Sequence, residues 1–204
     1  MPSSHTIPAS EDSDVSIGWK RGVRVLGVSE SFARSDTRSI VAGIVMRGDL
    51  RMDGFGLCRP TVGGRDATEQ LVALFKRLAR DDIRAIILGG GVISWFNVID
   101  LPRLYESTGV PVLCVSFEES EGLEKYIREY FPDDCDERIE TLTRSGERTL
   151  VPLQTGHSVY LIVHGIGLKR AKQLLNLFTI DGRVPEPVRV ARHIAAGIHR
   201  DMEF

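Results

Sequence analysis

Residues 22–57, GVRVLGVSESFARSDTRSIVAGIVMRGDLRMDGFGL, decide the fold. They hold three apolar stretches, at 22–28, 39–48 and 50–57. The first is bounded by Gly22 and by Ser29-Glu30-Ser31, and the second runs into a turn at Gly48-Asp49. Short β-branched runs between polar or glycine breaks read as strands. Joined by short connections, the three predict a β-meander.

Outward from the meander the pattern changes to alternation. RDATEQLVALFKRLARDD, 65–82, sets Leu71, Leu74, Phe75 and Leu78 at helical spacing. Asp66 is its predicted N-cap, with Glu69 three residues on as in a capping box. RAIILGGG (84–91) and VPVLCVSF (110–117) read as buried strands, with 93–109 a loop leading into a helix stopped by Gly109. Helices are predicted over 121–131 and 137–146, the first ended by Phe131-Pro132 and the second by Gly146. A strand over 158–166 and helices over 169–179 and 186–198 complete the chain, with Pro187 in the first turn of the last. The expected fold is α/β: a mixed sheet with helices on both faces, in the RNase H-like layout. The same order admits other mixed α/β folds. No repeat or internal boundary appears, so residues 21–204 read as one domain. The polar, Pro- and Ser-containing residues 1–20 read as a disordered tail.

The 204 residues suffice for one domain with a full core. A net charge of −2 gives no overall signal for nucleic acid, so a basic groove would have to be local. Cys58, Cys114 and Cys135 are odd in number and lack a C-x-x-C pair, which speaks against disulfides or zinc and fits a cytoplasmic setting. No apolar run reaches the length of a membrane span, and the first residues lack a signal-peptide core. The oligomeric state is not legible.

Candidate chemistry clusters at strand ends. Glu30 follows the first strand directly. There a carboxylate can help hold Mg²⁺ or Mn²⁺ for phosphodiester cleavage, or simply be a solvated turn residue. Asp53 in RMDGFG can join it if the meander brings their strands together, or serve an Asp-Gly turn. Gly63 and Gly64 permit close approach of a phosphate before the helix that Asp66 opens. Gly89 and Gly90 after a buried strand permit the same for a base or phosphate, or make a tight turn. Neither glycine cluster matches a P-loop or a dinucleotide fingerprint. In SWFNVID, 94–100, Trp95 can stack on a base whose edge Asn97 reads, or be a core residue, whereas Phe96 reads as core and Asp100 as a helix cap. His157 and His164 lack partners at metal-ligand spacing and read as structural. Arg183, Arg189 and Arg192 read first as the wet face of the last helix.

Several stretches together resemble one archaeal family, endonuclease dU, related to endonuclease V. They are VLGVSESF, IVAGIVMRGDLRMDGFG, TVGGRDATE, GGGVISWFNVIDLPRLYESTGVPV and TIDGRVPEPVRVAR, and the resemblance runs from about Arg24 to about Ile198. It implies an endonuclease V-like variant of the RNase H fold. It also implies a DNA-repair endonuclease that cuts at deoxyuridine with a divalent metal, Mg²⁺ or Mn²⁺, the uracil being flipped out. Carried over by motif, Glu30 and Asp53 are the implied catalytic metal ligands. Asp66, Asn97 and Asp100 also match family motifs; Asp66 and Asn97 join Gly63, Gly64, Gly89, Gly90 and Trp95, read from the residues themselves, as the candidate substrate-binding set. The chain departs from the family at Gly89 and Ser29, where many relatives carry Asp. Asp100 is the candidate catalytic substitute for the missing carboxylate. The departure favours a further reading, a nucleic-acid-binding protein without catalysis, and a metal-dependent nucleotide hydrolase stays open because fold does not fix function.

Overall fold

The computed structural model describes residues 18–119 and 122–202. Most of the stretch read as a disordered tail therefore lies outside the described residues. The meander forms as β1 (Arg24–Ser31), β2 (Ile40–Arg47) and β3 (Met52–Cys58), all antiparallel. Then come α1 (Ala67–Arg77), β4 (Ile83–Leu88), a two-residue pair β5 (Val92–Ile93) and β6 (Asn97–Val98), and α2 (Leu101–Thr108). The rest is β7 (Val112–Ser116), α3 (Glu124–Tyr130), α4 (Cys135–Arg144), β8 (Thr149–Pro152), β9 (Ser158–His164), α5 (Leu168–Phe178) and α6 (Glu186–Met202).

Seven strands make one sheet in the order β3-β2-β1-β4-β7-β9-β8. β4 is parallel to both β1 and β7, and β9 returns antiparallel to β7. This is the expected RNase H-like mixed sheet. Side chains alternate across it and build two cores. Val25, Ile44, Ile87 and Leu113 meet α5 and α6 through Leu174, Phe178 and Ala191. Leu26, Val45, Ile86 and Val112 meet α1 and α2 through Leu71, Leu74 and Leu104. The helix α6 seats directly on β1, because a Cβ at Gly27 would lie 2.4 Å from Pro187.

Two elements escaped the sequence pattern. β8 is an edge strand with only Val151 buried, so it shows no apolar run, and its Pro152 is tolerated at an edge. The β5–β6 pair is too short to show periodicity. Gly109 does stop α2, in the left-handed conformation with φ 67°.

Candidate nucleic-acid interface

The carboxyl ends of parallel β1 and β4 lie side by side, Gly89 N–H donating to the Val28 carbonyl at 3.1 Å. In open α/β sheets such an edge is the usual ligand crevice. Strand alternation sends the side chains there to opposite faces. Ser29 and Ser31 share the α6 side: Ser31 Oγ lies 3.3 Å from His199 Nδ1. Glu30 turns to the other side and meets the loop between β5 and β6. Its carboxylate accepts from Ser94 N–H at 2.8 and 2.9 Å and from Ser94 Oγ at 2.9 Å. Ser94 Oγ also lies 2.6 Å from Ser39 Oγ. Burial raises the Glu30 pKa, and the Ser94 hydrogen bonds offset part of that rise.

The loop held by Glu30 is strained. Ser94, Trp95 and Phe96 adopt φ of 48°, 55° and 62°, three consecutive left-handed residues that are not glycine. Each costs about 1–2 kcal/mol relative to the right-handed form. Such a run persists only where surrounding structure over-determines it. Here three clasps do so. Glu30 holds Ser94. Gly63 N–H donates to the Ser94 carbonyl at 2.7 Å. Arg138 of α4, only 5% exposed, donates to the carbonyls of Phe96 at 2.8 Å, Gly63 at 2.8 Å and Gly64 at 2.9 Å. Asp134 neutralises the guanidinium at 2.8 Å, and Phe131 stacks 4.0 Å from it.

The clasped turn presents an aromatic cluster. The Trp95 ring centroid lies 5.0 Å from that of Phe131 and 5.8 Å from that of Tyr130. Phe96 packs against the same two rings at 5.9 and 6.0 Å. Both residues of the turn stay partly exposed, so Phe96 is not the core residue its hydrophobicity suggests. Arg34, from the loop after β1, lies over Trp95 at 4.6 Å and Tyr130 at 5.4 Å. Gly63 is where it is because its φ of 69° and the nearby rings leave no room: a Cβ would come within 3.2 Å of Trp95 and 3.3 Å of Phe131.

Several expected roles change. Asn97 is fully buried: its Oδ1 accepts from Ala67 N–H at 3.0 Å, and its Nδ2 donates to the Thr61 carbonyl at 3.0 Å and Asp66 Oδ1 at 2.8 Å. It therefore caps α1 from outside and has no free edge for a base. Asp66 occupies the N-cap position but makes no side-chain cap bond. Its carboxylate accepts instead from Thr61 N–H at 3.0 Å and Thr61 Oγ1 at 3.1 Å. Burial opposes its ionisation, but the bonds from Thr61 and Asn97 outweigh burial and hold its pKa below the ordinary aspartate value. The Gly63 and Gly64 amides are likewise spent, Gly64 N–H donating to the Thr61 carbonyl at 3.0 Å, so this loop offers no open phosphate cradle. Asp100 caps α2 by accepting from Arg103 N–H at 3.1 Å and pairs with Arg144 at 3.2 Å. That is the capping role, not a substitute metal ligand. His164 Nε2 lies 2.9 Å from the Ser145 carbonyl, a structural contact, and Arg189 pairs with Asp181 and Glu186.

Asp53 is the largest correction. It sits in a bulge of β3 opposite Val45 and Met46, residues that pair with Leu26 and Val25 at the start of β1. Glu30 is about four residues further along, roughly 13 Å, and two strands across, ~10 Å. Ligands of one divalent ion must each lie within ~2.6 Å of it. Asp53 pairs with Arg24 and, at 3.1 Å, with Arg80, and Arg24 in particular holds its carboxyl below the ordinary range.

A divalent ion of the kind the resemblance implies does not fit these residues. At the paired ends of β1 and β4 the donors are the Ser29 hydroxyl and Gly89, which has no side chain. A Cβ at 89 would meet Val188 Cγ1 at 2.8 Å and Ser29 Oγ at 3.9 Å, so a side chain there would require Val188 of α6 to shift. Glu30 points to the opposite face and is consumed by Ser94. No three of His, Cys, Asp and Glu converge as a metal site among the described residues. Gly89 itself is exposed, and Gly90, with φ 132°, turns the chain toward β5.

Sequence reasoning missed Ser94, Arg34, Tyr130 and Arg138. A buried arginine has no sequence signature, since charged residues default to the surface. Phe131 was visible only as a helix stop. No helix among the described residues is long and apolar enough to cross a membrane. All three cysteines are free.

Known proteins resemble this chain in sequence and fold. The sequence model of the family described as Endonuclease dU matches residues 21–199. A UPF0215 protein of Pyrobaculum calidifontis is 37% identical over 174 residues, covering 85% of this chain and 95% of its own. The crystal structure of a protein of unknown function from Archaeoglobus fulgidus superposes with a TM-score of 0.76 at 28% identity, over 86% of this chain and 98% of that one. Endonuclease V of Ciona intestinalis, solved with DNA containing an inosine, superposes with a TM-score of 0.62 at 12% identity, over 88% of this chain and 87% of that one. The last likeness is one of fold, and the fold is that of endonuclease V.

Proposed function

The chain belongs to the endonuclease dU family, which together with its fold supports a nuclease, and from that premise we propose that it recognises deoxyuridine in DNA. The strand lies along the carboxyl edge of β1 and β4, and the uracil is received, flipped from the stack, beside the Trp95–Phe96 turn. Extrusion costs least for a mispaired base, and the product of cytosine deamination is one. The observation that carries this reading is the left-handed Ser94–Phe96 turn, strained at three residues and clasped by Glu30, Gly63 and Arg138. Strain retained at that expense marks a site selected for geometry rather than stability. The endonuclease V neighbour solved with inosine-containing DNA supports nucleic acid as the ligand.

Strand cutting is the second reading, favoured by the family match over residues 21–199. Because the side chains do not fit a divalent ion, Glu30 and Asp53 are assigned no step in a metal-assisted cut. One assay separates the readings. End-labelled duplexes carrying one uracil, one hypoxanthine or neither are incubated with Mg²⁺, Mn²⁺ or EDTA, with binding followed by fluorescence anisotropy and nicking by denaturing gel. The first reading expects tighter binding to the uracil duplex, unchanged by EDTA. Metal-dependent nicking at uracil establishes the second reading. Equal binding to all three duplexes overturns deoxyuridine recognition.

A further inference from the structure

We propose that the Trp95–Tyr130 face is a stacking site for one unpaired nucleobase, and that Arg34 occupies it until DNA arrives and then takes the phosphate of the same nucleotide. The inference rests on the reading of this edge as the DNA face. Arg34 is exposed, and its guanidinium lies 4.6 Å from the Trp95 centroid and 5.4 Å from the Tyr130 centroid. It makes no ion pair among the described residues, unlike Arg65, Arg103 and Arg144. The platform beneath it is unsealed, since Tyr130 is 41% exposed. Arg38 and Arg59, on the adjoining loops, are also exposed and also lack a carboxylate partner among the described residues. Arg38 donates only to the Arg59 carbonyl, and Arg59 to Met202 Sδ. An uncompensated cation over an open aromatic face suits a ligand with both a π surface and a negative charge, which is the chemistry of a nucleotide. An exposed cation–π contact is weaker than base–aromatic stacking, so a base displaces the guanidinium favourably, and a freed arginine forks onto phosphate.

Trp19 and Trp95 are the two tryptophans of the chain, and Trp19 stacks on Arg170, outside this cluster. Trp19→Phe therefore leaves Trp95 as the sole indole reporter. That protein is titrated with a labelled single-stranded oligonucleotide containing one uracil, and with the same strand abasic at that position. Anisotropy of the label and Trp95 emission are read together. The expected result is quenching by the uracil strand and little by the abasic one. Trp95→Ala and Tyr130→Ala weaken binding about 10- to 100-fold, and Trp95→Phe, which keeps a ring, recovers most of it. Arg34→Ala lowers the salt dependence by about one counterion. Binding with unchanged Trp95 emission, and wild-type affinity in a folded Trp95→Ala, overturns the stacking site and leaves deoxyuridine recognition to another face. No anisotropy change with either strand overturns both.

Discussion

At one end of β1 the Glu30 carboxylate is half-buried, receives the neutral donors of Ser94, and is held above its ordinary pKa. At the other end Asp53 lies between Arg24 and Arg80 and is held below its own. The sequence suggests that these two acids share a metal. The structure places them toward opposite strand ends, two strands apart, and gives them opposite electrostatics. Asp53 belongs to a screened surface network with Arg24, Arg80 and Asp82. Glu30 fixes a backbone turn. The acid whose charge is disfavoured is the one that shapes the candidate interface, because its task is to hold Ser94 rather than to attract a cation.

Substitutions sharpen this contrast in order of effect. Arg138→Ala leaves three carbonyls and Asp134 without their partner in the clasp, and is expected to cost about 3–5 kcal/mol in urea unfolding; a loss near zero would break the claim that the turn is held from α4. Glu30→Ala strips Ser94 of its acceptor and is expected to cost about 1–3 kcal/mol and to weaken DNA binding. A third expectation concerns pH. The raised pKa of Glu30 means its stabilising contribution is full below its ordinary value of 4.5 and is lost as pH rises through the folded value. Glu30→Gln removes that loss. The lowered pKa of Asp53 gives the reverse, a contribution present above its ordinary value of 3.8 and lost as pH falls through the folded one. Urea midpoints across the acid range, compared between Glu30→Gln and Asp53→Asn, read both signs; a shared sign would dissolve the distinction. The smallest effect is on DNA: Asp53→Asn is expected to leave affinity unchanged, and a clear loss in anisotropy would bring the far edge into the interface.

The fold was legible where physics acts locally. Apolar runs with glycine and polar breaks announce β1, β2, β3, β4 and β7, and Gly109 announces the end of α2. The site was legible only in part. Trp95 stands out as an aromatic beside strand-ending glycines. Glu30 stands out as an acid at a strand end, although its partner is a serine amide rather than a metal. Asp53 misleads because a meander brings strands together without saying which ends of them meet, and antiparallel register sets it level with Val25 and Leu26. Arg138 and Tyr130 reach the turn from α4 and α3 through tertiary packing, which leaves no mark in local sequence.

Hydrogen–deuterium exchange with and without a saturating uracil-containing duplex tests most directly which edge meets DNA. Slowed exchange over residues 92–98 and in the loop that carries Arg34, with the Asp53 bulge unchanged, is the expected result. Protection centred on Asp53 and Arg80, with the Ser94–Phe96 turn unaffected, would contradict it.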